Sequence, residues 1–324
     1  MARVTQTEAA LVAPPPHAPL SPRRAAGRDT ARIIIFGQAA LLVIIAILYV
    51  SSKAFFVVDL AAFVGAVILL WGGMRMGADT PMDIPSREEM STSRRVPWDW
   101  TDVLIAIPAA FTASSVLVSL FVPLTDALTN GVDSTVRTAV ESIVEQAAFY
   151  AGALFNIWVL VGLRRGGSLY HLGWRRFSWW WVIIAFVAAG ATLYIADLLQ
   201  LVSQHLFPSA SNTQCVAVQH DYSHFLWLAI IVVCFMAPLA EETMFRGFMY
   251  GWMHRVMPAA FAVVLSGAVF SIAHGVLLLF IPLWGVGIVL AIVFQSSRSL
   301  WPGALTHALF NLPGIIAILS TPTC

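Results

Sequence analysis

Apolar runs long enough to cross a bilayer recur along almost the whole chain, and no other feature restricts its fold as much. They fall at about 33–50, 54–74, 102–124, 147–163, 178–202, 223–245 and 301–320. Within hydrocarbon every backbone N–H and C=O must find a partner inside its own segment, so each run is expected to be a helix. The stretch 259–295 is too long for one span and predicts a helical hairpin, broken near Gly275 to Pro282, whose second arm is the short one. The fold class read from this pattern is an all-α polytopic membrane protein of about eight to nine transmembrane helices. With 59% hydrophobic and only 11% charged residues among 324, no soluble domain is left over.

The basic residues give an orientation. With the N-terminus in the cytoplasm, the inner segments 1–32, 75–101, 164–177, 246–258 and 296–300 hold sixteen of the eighteen Lys and Arg residues, and only Lys53 and Arg137 fall outside. Positive charge is retained on the cytoplasmic side of membranes, so this is the expected arrangement. The chain divides into three regions: 1–30, a disordered basic N-terminal arm; 31–101, an N-terminal helix pair and polar linker; and 102–324, the core. The arm contains Pro14 to Pro16, Arg23, Arg24 and Arg28, and it has neither the apolar centre nor the cleavage signature of a signal peptide.

Trp98, Trp100 and Trp179 to Trp181 sit where interfacial aromatic anchors are expected. The outer segment 125–146, with Asp126, Asp133, Glu141 and Glu145, reads as a solvated amphipathic stretch. In the outer loop 203–224, His220 and His224 have the spacing of a metal-binding pair. The loop offers no further soft ligand, so ordinary solvated histidines are expected there. Cys215, Cys234 and Cys324 are too few and too scattered for a disulfide framework or a metal knuckle. Cys215 and Cys324 could fall on one side of the membrane, which leaves a bond between them open. Asn156 and Asp197 lie inside apolar runs and either join helices or line a cavity.

Three residue pairs in the last third stand out: Glu242 with Arg246, next to Glu241; Phe270 with His274; and His307 with Asn311. Each pair is four residues apart, so its members share one helix face. Ionisable groups within a span cost roughly 2.5–3.5 kcal/mol each on insertion scales. Glu242 and Arg246 can neutralise one another, whereas Glu241 has no obvious partner in its own helix. Glu241 is 17 residues before Pro258 and His274 is 16 after it, so a turn at Pro258 brings both to one depth, roughly 25 Å of helix away. His307 lies only about 13 Å beyond Arg298. That mismatch extends Gly247–Met257 past the bilayer surface and opens a site toward the cytoplasm. Taken singly, the pairs read as a structural ion pair and as packing histidines. Together they supply what hydrolysis in a dry cavity requires: Glu241 and His274 to hold a water and accept its proton, His307 and Asn311 to donate to an oxyanion.

The motifs EETMFR, FSIAH and HALFN resemble those of the CAAX-protease and bacteriocin-processing (CPBP) family of intramembrane proteases, which includes the type II CAAX prenyl endopeptidases. Pro238-Leu239-Ala240, Gly247 and Ser299-Leu300-Trp301-Pro302 agree with it, and RRGGSLYHLGWRR resembles the basic inner loop of bacterial members. The resemblance covers about 145–320 and leaves 1–143 unexplained. It implies helices packed around a water-accessible, cytoplasm-facing cavity in a bacterial plasma membrane, and an endopeptidase activity. It also implies catalytic roles for Glu241, His274, His307 and Asn311, with Glu242, Arg246 and Phe270 in support. The expected partners are a membrane-embedded or lipidated, CAAX-type peptide and the lipid bilayer, with no nucleic acid. A glutamate-activated water without a metal is favoured; zinc on Glu241, His274 and His307, as in a metalloprotease, is the other route. Two other readings compete: a non-catalytic scaffold or bacteriocin self-immunity protein that binds a membrane peptide, and a proton-coupled transporter using the same acids as a relay.

Overall fold

The apolar runs are helical wherever the structure, a computed structural model, describes them; the described residues are 21–49, 56–78, 84, 96–320 and 324. Helices α1 (Pro22–Tyr49) and α2 (Phe56–Ala78) form the N-terminal pair. Then come α3 (Trp100–Thr129), α4 (Ser134–Arg164), α5 (Trp180–Leu206), the short α6 (Thr213–Tyr222) and α7 (Leu226–Val256). The last three are α8 (Ala259–Ala273), α9 (Phe280–Ser297) and α10 (Leu300–Ser320).

Among the described residues seven helices are long and apolar enough to cross a membrane, and the chain is an integral multi-pass membrane protein. The predicted hairpin is present, broken between His274 and Leu279, but its short arm is the first one, the 15-residue α8. The helix α1 starts at Pro22, so helix replaces the predicted disordered arm from that residue on. Proline suits a first turn, where its missing N–H would have no helical partner in any case. Residues 1–20 of the arm, and 79–83 and 85–95 of the linker, lie outside the described residues. The stretch 125–146, expected to be outer, is mostly helix: only residues 130–133 turn, and Asp133 caps α4 by accepting from Thr135 N at 2.8 Å.

The N-terminal pair is docked on the core. Gln38 Nε2 on α1 donates to Asn156 Oδ1 on α4 at 3.1 Å, while Asn156 Nδ2 reaches the carbonyls of Ala109 and Gly152, each at 2.9 Å. Asn156 therefore joins helices, one of the two roles its position allowed, whereas Asp197 is exposed on α5. The expected anchoring role of Trp98 is corrected: its side chain is 0% exposed, and Nε1 donates to the Phe248 carbonyl at 2.8 Å. Its ring stacks on that of Phe248, so packing against α7 takes the place of an interfacial position. Trp100, Trp179 and Trp180 are exposed, as anchors should be.

Beside Trp98, Arg164 Nη1 meets Asp102 Oδ1 at 2.5 Å, and Arg165 bridges Asp102 and Asp99 at 2.7 and 2.8 Å. Burial pushes the Asp99 carboxyl up, but the Thr101 hydroxyl and Arg165 outweigh it and hold Asp99 below the usual carboxylate range. On the opposite side Cys215 of α6 is disulfide-bonded to Cys324, 109 residues away. His220 and His224 are exposed, and His220 Nδ1 meets Asp221 Oδ1 at 2.9 Å.

Helix α8 crosses α9 with the two backbones close together. A Cβ at Gly287 would lie 2.6 Å from Gly267 Cα and 2.9 Å from its carbonyl oxygen. Backbone cannot yield as a side-chain tip does, so Gly287→Ala must push the two helices apart. We expect a loss of about 1–3 kcal/mol from overpacking, read as a lower midpoint of thermal unfolding in detergent. A native midpoint would show that the crossing is not tight.

Candidate active site

The acids lie on α7, and the local pitch of that helix sets where they point. Its backbone pairs i→i+5 over Ile230–Met236 and again over Glu242–Tyr250, with a short α-helical piece, Ala237–Glu241, between. Each wide turn shifts the helix face, and such turns are frequent at functional sites.

Glu242 is fully buried, with Oε1 3.0 Å from Arg246 Nη1. Its carboxylate rests on the α10 backbone, because a Cβ at Gly303 would come within 2.9 Å of Oε2. Arg246, equally buried, donates Nη2 to the Gly287 carbonyl at 3.2 Å and lies 4.3 Å over the Phe270 ring. The predicted ion pair thus ties α7 to α8, α9 and α10 at one point.

Glu241 keeps 14% of its side chain exposed. Oε1 accepts from the Tyr150 hydroxyl at 3.0 Å, whereas the buried Oε2 accepts no hydrogen bond. That free oxygen lies 3.8 Å from His307 Nε2. On its other edge His307 Nδ1 is 3.3 Å from Glu242 Oε1, so the imidazole stands between two carboxylates. Neither approach is a directed hydrogen bond; both are contacts of charge.

His274 ends α8 with Nδ1 2.8 Å from the Phe270 carbonyl. A carbonyl only accepts, so the bond assigns the proton to Nδ1 and leaves Nε2 as an acceptor when the ring is neutral. Phe270 meets His274 edge-on at 4.7 Å and His307 at 5.7 Å, so both imidazoles flank one ring. The charge contacts of Glu241 and Glu242 run to His307 and not to His274. Asn311 Nδ2 donates to the Val233 carbonyl on α7 at 2.7 Å. Of the residues singled out in the sequence, Glu241, Glu242, Arg246, Phe270 and His307 are in direct contact. His274 joins them through Phe270, and Asn311 lies a turn further along α10.

The sequence of α7 to α10 now has counterparts. The family profile for type II CAAX prenyl endopeptidase Rce1-like proteins matches residues 223–313, which hold every one of these side chains except Tyr150. Over that segment the chain is similar to the CAAX-protease family. A curated Bacillus subtilis (strain 168) protein named "Putative membrane peptidase YdiL" is 24% identical over 131 residues, 40% of this chain and 52% of that relative. The chain thus spans about half the length of the curated relative it matches. No solved structure matches it.

A zinc ion at this site would need several donors aimed at one point. Among the described residues no three or more His, Cys, Asp or Glu side chains are grouped to hold a metal ion, and Glu241, His274 and His307 do not form such a set. Sequence reasoning missed Tyr150. The rule that polar groups inside a span mark functional sites would have flagged it, since it lies in the run 147–163. It also missed the chain of contacts after the acids, where Trp174 Nε1 donates to Thr243 Oγ1 at 3.1 Å and that hydroxyl donates to the Leu239 carbonyl at 2.7 Å.

Proposed function

We propose that the chain is a glutamate-dependent intramembrane endopeptidase whose cavity opens to the cytoplasm and whose substrates are membrane-anchored peptides, CAAX-type prenylated tails among them. The observation that carries this reading is the free Glu241 Oε2 facing His307 Nε2 at 3.8 Å. That gap is too long for a direct bond, yet one water can touch both atoms. Glu241 takes one proton of this water, His274 Nε2 accepts a hydrogen bond from the O–H that remains, and the resulting hydroxide attacks the scissile carbonyl. The oxyanion is met by His307 and by the second N–H of Asn311. Glu241 then gives its proton to the departing amine.

Two features support the orientation with the N-terminus in the cytoplasm. The Cys215–Cys324 bond belongs on an oxidising, external face. Trp98 and Trp174, from the opposite loops, pack on Phe248 and Thr243 just beyond the acids, which supports a site nearer the cytoplasmic side.

The test is a cleavage assay with the purified chain in liposomes, using one anchored peptide with a farnesylated C-terminal cysteine and the same peptide unmodified. Cleavage is expected to persist with a metal chelator and to be faster for the farnesylated form. Equal rates would remove prenyl recognition, arrest by the chelator would remove the metal-free route, and no cleavage of either peptide would overturn the protease reading.

A further inference from the structure

We propose that Asn311, besides its contact with the oxyanion, has a positioning role: its amide replaces the backbone donor that Pro238 denies to the Val233 carbonyl, and so holds the turn of α7 that delivers Glu241. The proposal deepens the protease reading and rests on it for its kinetic consequence.

The case rests on the hydrogen bonds open to one carbonyl. In an α-helix Val233 O would accept from the N–H of residue 237; in the wide register it would accept from residue 238. Ala237 N–H is already directed to Val232 O. Residue 238 is proline, which has no N–H. Both helical donors are therefore absent, at a depth where no solvent replaces them. Asn311 Nδ2 reaches the carbonyl at 2.7 Å from α10. Without that bond Ala237 N–H could return to Val233 O and the wide turn would close. Closing it removes one residue from the turn and rotates the rest of α7 by about 100°. Glu241 would then leave Tyr150 and His307. Asn311 is one turn after His307, so the same bond also sets the register of α10 on α7.

Three full-length variants test this: Asn311→Leu, Pro238→Ala and the two combined. Pro238→Ala supplies the missing N–H. Amide hydrogen exchange over Val232–Thr243 should rise in Asn311→Leu and return to the native level in the double variant. For the anchored peptide, kcat should fall about 100-fold in Asn311→Leu, the scale of a displaced catalytic group, with KM little changed. The double variant should recover at least about tenfold of that loss. A residue acting on the oxyanion alone would lower kcat with exchange unchanged and with no rescue by Pro238→Ala, and that result would overturn the proposal. If the native chain cleaves no peptide, the protease reading falls by itself, while the exchange comparison still decides whether Asn311 holds the turn.

Discussion

Replacing Glu241 by Gln is expected to lower kcat for an anchored peptide by about 10²–10⁴-fold, the contribution of a positioned general base. The substitution is nearly isosteric. An amide oxygen can still accept from the Tyr150 hydroxyl, now at 3.0 Å from Oε1, so helix packing should survive. The loss is confined to the basic oxygen opposite His307. Binding of the uncut peptide should stay close to native, which separates lost chemistry from lost folding. Cleavage by Glu241→Gln at the native rate would remove this carboxylate from the reaction.

The second large effect concerns stability. Arg246 and Glu242 are both fully buried, and each neutralises the other where water cannot. Removing one partner of such a pair typically costs about 3–5 kcal/mol, because the remaining charge stays buried without compensation. Arg246→Met preserves much of the volume under Phe270 but leaves the Glu242 carboxylate beside the Gly303 backbone. The midpoint of unfolding in detergent should fall sharply. Combining it with Glu242→Gln should recover part of the loss, since the double variant buries no net charge. A single variant as stable as the native chain would mean that the pair is not what neutralises this junction.

Helical periodicity makes much of the site legible. Four-residue spacing puts Glu242 with Arg246 and Phe270 with His274, and both pairings are present. His274 reaches the acids only indirectly, through the Phe270 ring and His307. Other features depend on partners far along the chain, which spacing does not encode. Tyr150 is 91 residues from the carboxylate it holds. The wide turns of α7 arise from which donors reach its carbonyls, and one of those donors is Asn311, 78 residues away. Trp98 fits an interfacial pattern in sequence, yet the Phe248 carbonyl draws it inside. Hydropathy misplaces the short arm of the hairpin because it marks apolar length and not the residue at which a helix stops.

The bond between Cys215 and Cys324 makes α7 to α10 part of one covalent loop. A single backbone cut anywhere along that loop leaves the two pieces joined, so such a nick appears on a denaturing gel only after reduction. The loop is fastened at one end of the bundle alone. At the other end, where the Trp98 and Trp174 segments pack, no disulfide joins these four helices among the described residues. Any widening needed to admit a peptide is therefore least restrained there.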